Sequence, residues 1–191
     1  VYRRELLARL GLPFEVCAAN IDESRQPGET PGALAMRLAL EKAQAIASMR
    51  SQDVVIGADQ VLDLNGQALG KPGTHERARE QLMLLSGHCV HFHSAVAVIS
   101  SVGRELQVST SRVCFLKLSA QQIEHYLQTE KPYDTAGSAK AEGLGIALLE
   151  SLQSADPTSI IGLPLIKVSQ MLRRVGLDPL CQPYLRSGVH P

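Results

Sequence analysis

The chain has no tryptophan and only three phenylalanines and four tyrosines among 191 residues. That is too few rings for a platform on which a long single strand of nucleic acid could stack, although one nucleobase needs only one ring. An excess of either charge is also missing. Nineteen Lys and Arg balance nineteen Asp and Glu, so the total attracts neither a nucleic-acid backbone nor an anionic membrane, and any anion must be met by local charge. The four cysteines, Cys17, Cys89, Cys114 and Cys181, are scattered, with no Cys-x-x-Cys pair and no secretory leader, which predicts reduced thiols in a soluble, cytoplasmic protein. No apolar run approaches the roughly 18 residues of a membrane-spanning helix. His88, His91 and His93 lie close together but have no further ligand at the spacing of a zinc site, so none is expected.

What is present fits one domain over residues 1–191, or two lobes sharing a core, with 45% hydrophobic residues to fill it. The chain is organised around Val54-Val55-Ile56-Gly57-Ala58-Asp59-Gln60-Val61, followed by Gly70-Lys71-Pro72. A stiff, buried strand would hold the Asp59 carboxylate on a rigid support, and Gly57 leaves room for something to approach the backbone. This reads as a phosphate and metal site; a hairpin over 54–69 in which Asp59 merely caps a turn is the alternative.

Ahead of this stretch, residues 2–10 predict a helix closed by Gly11. Arg3 and Arg4 fall in its first turn, the wrong end for cations unless an anion binds there. Residues 14–21 read as a short strand ending in Asp22-Glu23, an acidic pair that could hold a metal, before a loop rich in Pro and Gly. The clearest helix covers 33–49. At roughly 100° per residue, Lys42 falls near 80° from Leu34, inside an apolar arc that also holds Leu38, Ala45, Ala35 and Ile46. A buried ammonium there needs an anion, unless the lysine snorkels from the edge.

Beyond it, Thr74 caps a helix over 75–86, and Val-rich segments 89–99 and 105–118 predict an antiparallel hairpin. Ser119 opens a capping box on a helix that stops before Pro132. The stretch from Tyr133 to Gly145 sets three glycines around an acid and a base ahead of an apolar strand at 146–149. It fails the dinucleotide fingerprint and reads as a pocket-lining loop or a tight turn. Pro164 begins a last helix that ends at Gly176, and 177–191 reads as a tail.

In order, Arg3-Arg4, Asp22-Glu23, Glu41-Lys42-Ala43, Gly57-Ala58-Asp59-Gln60, Gly70-Lys71-Pro72, Ala136-Gly137, Glu142-Gly143 and Gly162-Leu163-Pro164-Leu165 resemble the signature of the Maf nucleoside triphosphate pyrophosphatases. The resemblance covers nearly the whole chain. The Glu142-Gly-x-Gly loop is similar to the branch that hydrolyses 7-methyl-GTP to 7-methyl-GMP and pyrophosphate, whereas the branch acting on dTTP and UTP generally has Gln at that position. It implies an α/β fold with an elongated mixed β-sheet flanked by helices, two lobes around a central cleft as in the inosine triphosphate pyrophosphatases, and often a homodimer. It also implies a divalent cation (Mg²⁺, Mn²⁺ or Co²⁺), a part in keeping modified nucleotides out of nucleic acids, and a suggested role in arresting cell division. A nucleotide sensor with incidental hydrolysis is the rival reading. Members usually carry a strand and an Ala-Ser-x-Ser-Pro loop directly before the paired arginines, a segment the sequence does not include.

Within that frame, Lys42, Lys71, Arg3 and Arg4 are expected to meet the phosphates, and Glu23 to hold the metal. Asp59 is the expected general base or a second metal ligand. Glu142 would accept the paired N–H donors of guanine, Tyr2 would lie against a cationic methylated ring, and Gln60 would complete base recognition.

Overall fold

The computed structural model describes residues 2–181. Residues 182–191 of the expected tail, and Val1, lie outside the described residues. Five strands form one sheet in the order β2-β1-β3-β4-β5, with β1 over Val55–Leu64, β2 over Gln67–Leu69, β3 over Cys89–Ser100, β4 over Gly103–Phe115 and β5 over Leu149–Gln153. The helices are α1 (Tyr2–Ala8), α2 (Pro31–Ala47), α3 (His75–Leu85), α4 (Ala120–Glu130) and α5 (Leu165–Arg174). The α/β class holds. Every pairing among the described residues is antiparallel, because the strands follow one another through hairpins or a returning helix, so the expected mixture of strand directions is not seen there.

Local chemistry sets most boundaries. The Thr30 hydroxyl accepts from Ala33 N–H and starts α2, with Pro31 in its first turn. Thr74 caps α3 in the same way. Ser119 and Gln122 form the capping box of α4. The strand expected over 14–21 does not form, and the backbone there is irregular. A strand exists only where its N–H and C=O groups find a neighbouring ladder. Here a cavity of about 500 Å³, lined by Leu7, Phe14, Cys17, Ile46 and Ile56 among others, separates the segment from the start of β1, and no predicted site residue lines it. The apolar run at 146–149 also departs from expectation, since Leu144–Leu148 is a 3₁₀ turn and β5 begins only at Leu149.

Alternation along the strands sorts the core by face. One face packs on α2, where Leu34, Ala35, Leu38 and Ala39 meet Val61 and Ala95, and Ala43 meets Val55 and Ala97. The other face carries two separate apolar clusters. Leu6 of α1 and Val168, Met171 and Leu172 of α5 cover Val96 and Val98 at one end, while α3 and α4 cover Leu62, Leu64, Phe92 and Val113 at the other. Between them runs a polar seam of Gln60, Ser94, Ser111 and Ser159, the three serines being buried.

One cysteine expectation is overturned. Cys89 and Cys114 sit directly opposite each other in the β3–β4 register, 3.9 Å apart at Cα, and are joined by a disulfide. Their separation of 25 residues conceals this from a reading based on spacing, because only the hairpin register brings them together. Cys17 and Cys181 are free and exposed. No helix among the described residues is long and apolar enough to cross a membrane.

Candidate active site

The site is built where α2 crosses β1. Nothing larger than a hydrogen fits at residue 57, because a Cβ there would lie 2.2 Å from the Ala39 carbonyl oxygen and 2.6 Å from the Ala43 nitrogen. What approaches the Gly57 backbone is therefore α2 itself. That close packing brings Lys42, one residue before Ala43, over Asp59, two residues beyond Gly57 on the same face of the strand.

The Lys42 ammonium donates to Asp59 Oδ1 at 2.7 Å and lies 2.6 Å from Glu23 Oε1. Lys42 and Asp59 are largely buried, whereas Glu23 leaves 60% of its side chain exposed. The hydrogen bond from Lys42 holds the Glu23 carboxyl below its ordinary range, and the charges of Lys42, Lys71 and Arg3 act in the same direction. Exposed Lys71 is thus within electrostatic reach of the cluster. Its loop is tied down by Gln81, which donates to the Gly70 carbonyl at 3.0 Å, and by Gly73 N–H bonding to the Tyr133 carbonyl at 3.0 Å.

Arg3 also has a structural part. Its Nε donates to the Gly162 carbonyl at 3.1 Å and its Nη1 to the Ala58 carbonyl at 2.8 Å, so it tethers α1 to β1 and to the loop before α5. Burial lowers its pKa, opposed by the charges of Asp59 and Glu23. The second N–H of Nη1 and both of Nη2 are left for a further anion among the described contacts. Arg4, next on the helix, is exposed and has no ion pair among the described residues.

The acidic pair divides its labour. Asp22 Oδ1 accepts from Ser24 N–H at 2.9 Å and fixes the turn. Arg37, on the polar side of α2, pairs with Glu29 at 2.7 Å and donates to the Ser24 carbonyl at 2.8 Å, fastening the loop that presents Glu23. Arg37 was not anticipated; its i,i+4 pairing with Glu41 was the one local signal available.

Gln60 points to the opposite face of the strand from Asp59. Its amide nitrogen lies within hydrogen-bonding distance of Ser94 Oγ at 2.9 Å, the Ser159 carbonyl at 2.9 Å and the Ile160 carbonyl at 3.0 Å, so its donors brace the loop before α5. Buried Asp156 organises the same loop, accepting from Thr158 and from Ile166 N–H in the first turn of α5.

Tyr2 and Glu142 gather elsewhere, around a lysine that carried no role in the sequence. The Lys140 ammonium lies 5.8 Å from the centre of the Tyr2 ring. Glu142 is on the same short loop, its pKa raised by desolvation, lowered by Lys140, and raised again by Glu130 and Asp134. Glu130 of α4 holds the loop by accepting Leu144 N–H at 2.8 Å. Tyr2 and Arg3 are neighbours in α1, so one helical turn touches both the Asp59 cluster and the Glu142 loop.

Glu23 and Asp59 converge on one cation, which is the arrangement two hard oxygen ligands need to share a divalent ion with substrate phosphates. No group of three or more His, Cys, Asp or Glu suited to a metal occurs among the described residues. A divalent ion held here would have these two carboxylates as its acidic ligands.

Comparison with known proteins identifies the family. The model of the Maf-like protein family matches residues 1–175. The chain belongs to the Maf family. It is similar to proteins named 7-methyl-GTP pyrophosphatase in Bordetella pertussis, at 55% identity over 179 residues covering 94% of this chain and 90% of that one. The Bordetella avium protein of the same name is 54% identical over 183 residues, 95% of this chain and 92% of that one. That of Thiobacillus denitrificans is 51% identical over 184 residues, 95% and 92% of the two chains.

Proposed function

We propose that this chain hydrolyses nucleoside triphosphates between the α and β phosphates, with 7-methyl-GTP as the preferred substrate, releasing 7-methyl-GMP and pyrophosphate. The observation that carries the reading is the ionic cluster in which Asp59, fixed on β1, shares the Lys42 ammonium with Glu23. Names given to relatives at 51–55% identity support the choice of nucleotide.

A triphosphate brings about four negative charges, and catalysis requires them to be neutralised while water is aligned with the departing pyrophosphate. Lys42 and Lys71 supply positive charge, and Arg3 offers the N–H groups it does not spend on Gly162 and Ala58. Asp59 takes a proton from the attacking water; the hydrogen bond from Lys42 holds it oriented until then. Glu23 and Asp59 would hold a Mg²⁺ or Mn²⁺ ion, which supplies charge stabilisation at the phosphates. At the other end Glu142, ionised, accepts the N1–H and amino group of guanine together, and the Tyr2 ring lies against a base made cationic by N7 methylation.

Asp59→Asn retains the shape of the side chain and its contact with Lys42 but not its basicity. The expected result is a folded protein whose pyrophosphate release falls by about 100- to 10,000-fold. Turnover at the wild-type rate would remove Asp59 as the base. The same assay over 7-methyl-GTP, GTP, dTTP and UTP tests the base preference, and a preference for dTTP or UTP would move the chain to the pyrimidine branch.

A further inference from the structure

The Glu142 loop holds a charge that the chemistry above does not use. The Lys140 ammonium stands over the Tyr2 ring, 5.8 Å from its centroid, and donates to the Glu130 carbonyl at 3.3 Å. Its backbone is fixed as well. Lys140 N–H donates to the Tyr126 hydroxyl at 3.0 Å, and Tyr126 is buried, its pKa pushed up to about 12, so it stays a neutral phenol. Gly145 folds back on the same residue so closely that a Cβ would lie 2.4 Å from the Lys140 carbonyl oxygen. The lysine is therefore aimed by its loop and not left to wander, and its charge is close enough to Glu142 to lower that group's pKa.

A cation against an aromatic face, beside a carboxylate, is the environment that a positively charged purine base would occupy if Tyr2 and Glu142 read the base. We propose that Lys140 is a specificity-determining residue, its ammonium holding the face of Tyr2 until a cationic purine base displaces it. The inference rests on the reading of Tyr2 and Glu142 given above and adds a term to it. Displacing Lys140 weakens the binding of every purine nucleotide by the loss of one cation–ring contact. The displaced ammonium stays tethered to the loop, so it also repels a methylated, cationic base, a second cost that neutral guanine does not bear. Lys140 thus moderates a preference that Tyr2 and Glu142 create, and keeps the methylated product from lingering.

The test is calorimetric titration of 7-methyl-GMP and GMP into the wild-type protein, Lys140→Met and Lys140→Arg at pH 8, well above the ordinary Glu range. Methionine keeps the length of the side chain without the charge. Lys140→Met is expected to bind GMP about two- to fivefold more tightly, the range a cation on an exposed ring represents, and 7-methyl-GMP more tightly still. Lys140→Arg is expected to stay near wild type. Unchanged affinities in Lys140→Met, or a selective loss of 7-methyl-GMP, would overturn the inference while leaving the base reading in place. Failure of all three proteins to distinguish the two nucleotides would overturn the base reading, and the inference with it.

Discussion

The Asp59 cluster and the Glu142 loop are both charged, yet they are held by different physics. Lys42 and Asp59 come from a long helix and a central strand packed backbone to backbone at Gly57, and they pair with one another and, through Lys42, with Glu23. Glu142 and Lys140 come from a loop between two 3₁₀ turns, fastened by Tyr126 and Glu130 of α4. The first region presents a fixed geometry that suits proton transfer and phosphate charge. The second presents two charges that a ligand can exchange, which suits choosing a base. Damage to the first should therefore appear as lost packing and lost rate together, and damage to the second as altered choice with the fold intact.

The sharpest break is Gly57→Ala. A methyl group would meet main-chain atoms of α2 at 2.2 and 2.6 Å, and a helix backbone cannot yield as a side chain can. Overpacking of a core typically costs about 1–3 kcal/mol, and contact with backbone belongs at the upper end or beyond. The urea midpoint should fall accordingly. In whatever fraction stays folded, α2 is pushed away from β1, so pyrophosphate release should drop on every nucleotide. A stable, fully active Gly57→Ala would mean that the helix–strand contact does not set the Lys42–Asp59 geometry.

Glu142→Gln probes the other region and should do the opposite. Exchanging a charged acceptor for a neutral amide weakens the paired hydrogen bonds to guanine, and about a tenfold loss of kcat/KM on 7-methyl-GTP is expected with little change on dTTP or UTP. Stability should not fall. Glu142 has a raised pKa, so its ionisation costs stability as the pH rises above the ordinary Glu range, and a neutral amide carries no such cost. The same shift sets a pH signature: base choice needs the carboxylate, so the preference for 7-methyl-GTP should fade, as acid is added, at a pH above the ordinary Glu value of about 4.3. In Glu142→Gln the ratio of rates on 7-methyl-GTP and GTP should be flat across that range. A parallel loss on all nucleotides would make Glu142 a support for the loop.

This division also explains what could be read from the chain without its structure. Lys42 betrayed itself because it broke the apolar arc of a regular helix, and Asp59 because it closed a run of Val and Ile; both signals are local and periodic. The helices at 2–10, 33–49, 75–86 and 119–131 were legible for the same reason, through caps and spacing. Residues 14–21 have strand-like composition but no ladder to join, and pairing is a property of the neighbour. Cys89 and Cys114 meet only through hairpin register. Lys140 over Tyr2 spans the chain from end to late loop, and no local pattern encodes such a contact. Gln60 stood out in the sequence beside Asp59, but its bonds to Ser94 and to the 159–160 carbonyls required the fold.

Ser94→Ala tests that last point and should have the smallest effect. The Ser94 hydroxyl, fully buried, donates to the Ser159 carbonyl at 2.6 Å and accepts from Gln60 Nε2. The Ser159 carbonyl keeps Gln60 as a donor when the hydroxyl is removed, so no acceptor is stranded and the loss should be about 1 kcal/mol. The loop that Gln60 and Ser94 brace carries Gly162, whose carbonyl anchors Arg3 beside Asp59. A brace for the catalytic region should affect all nucleotides alike, with a drop of about twofold in kcat/KM and no change in their order. If Ser94→Ala altered the preference for 7-methyl-GTP instead, Gln60 would be acting at the base after all, and the polar seam would belong to the choosing region and not to the rigid one.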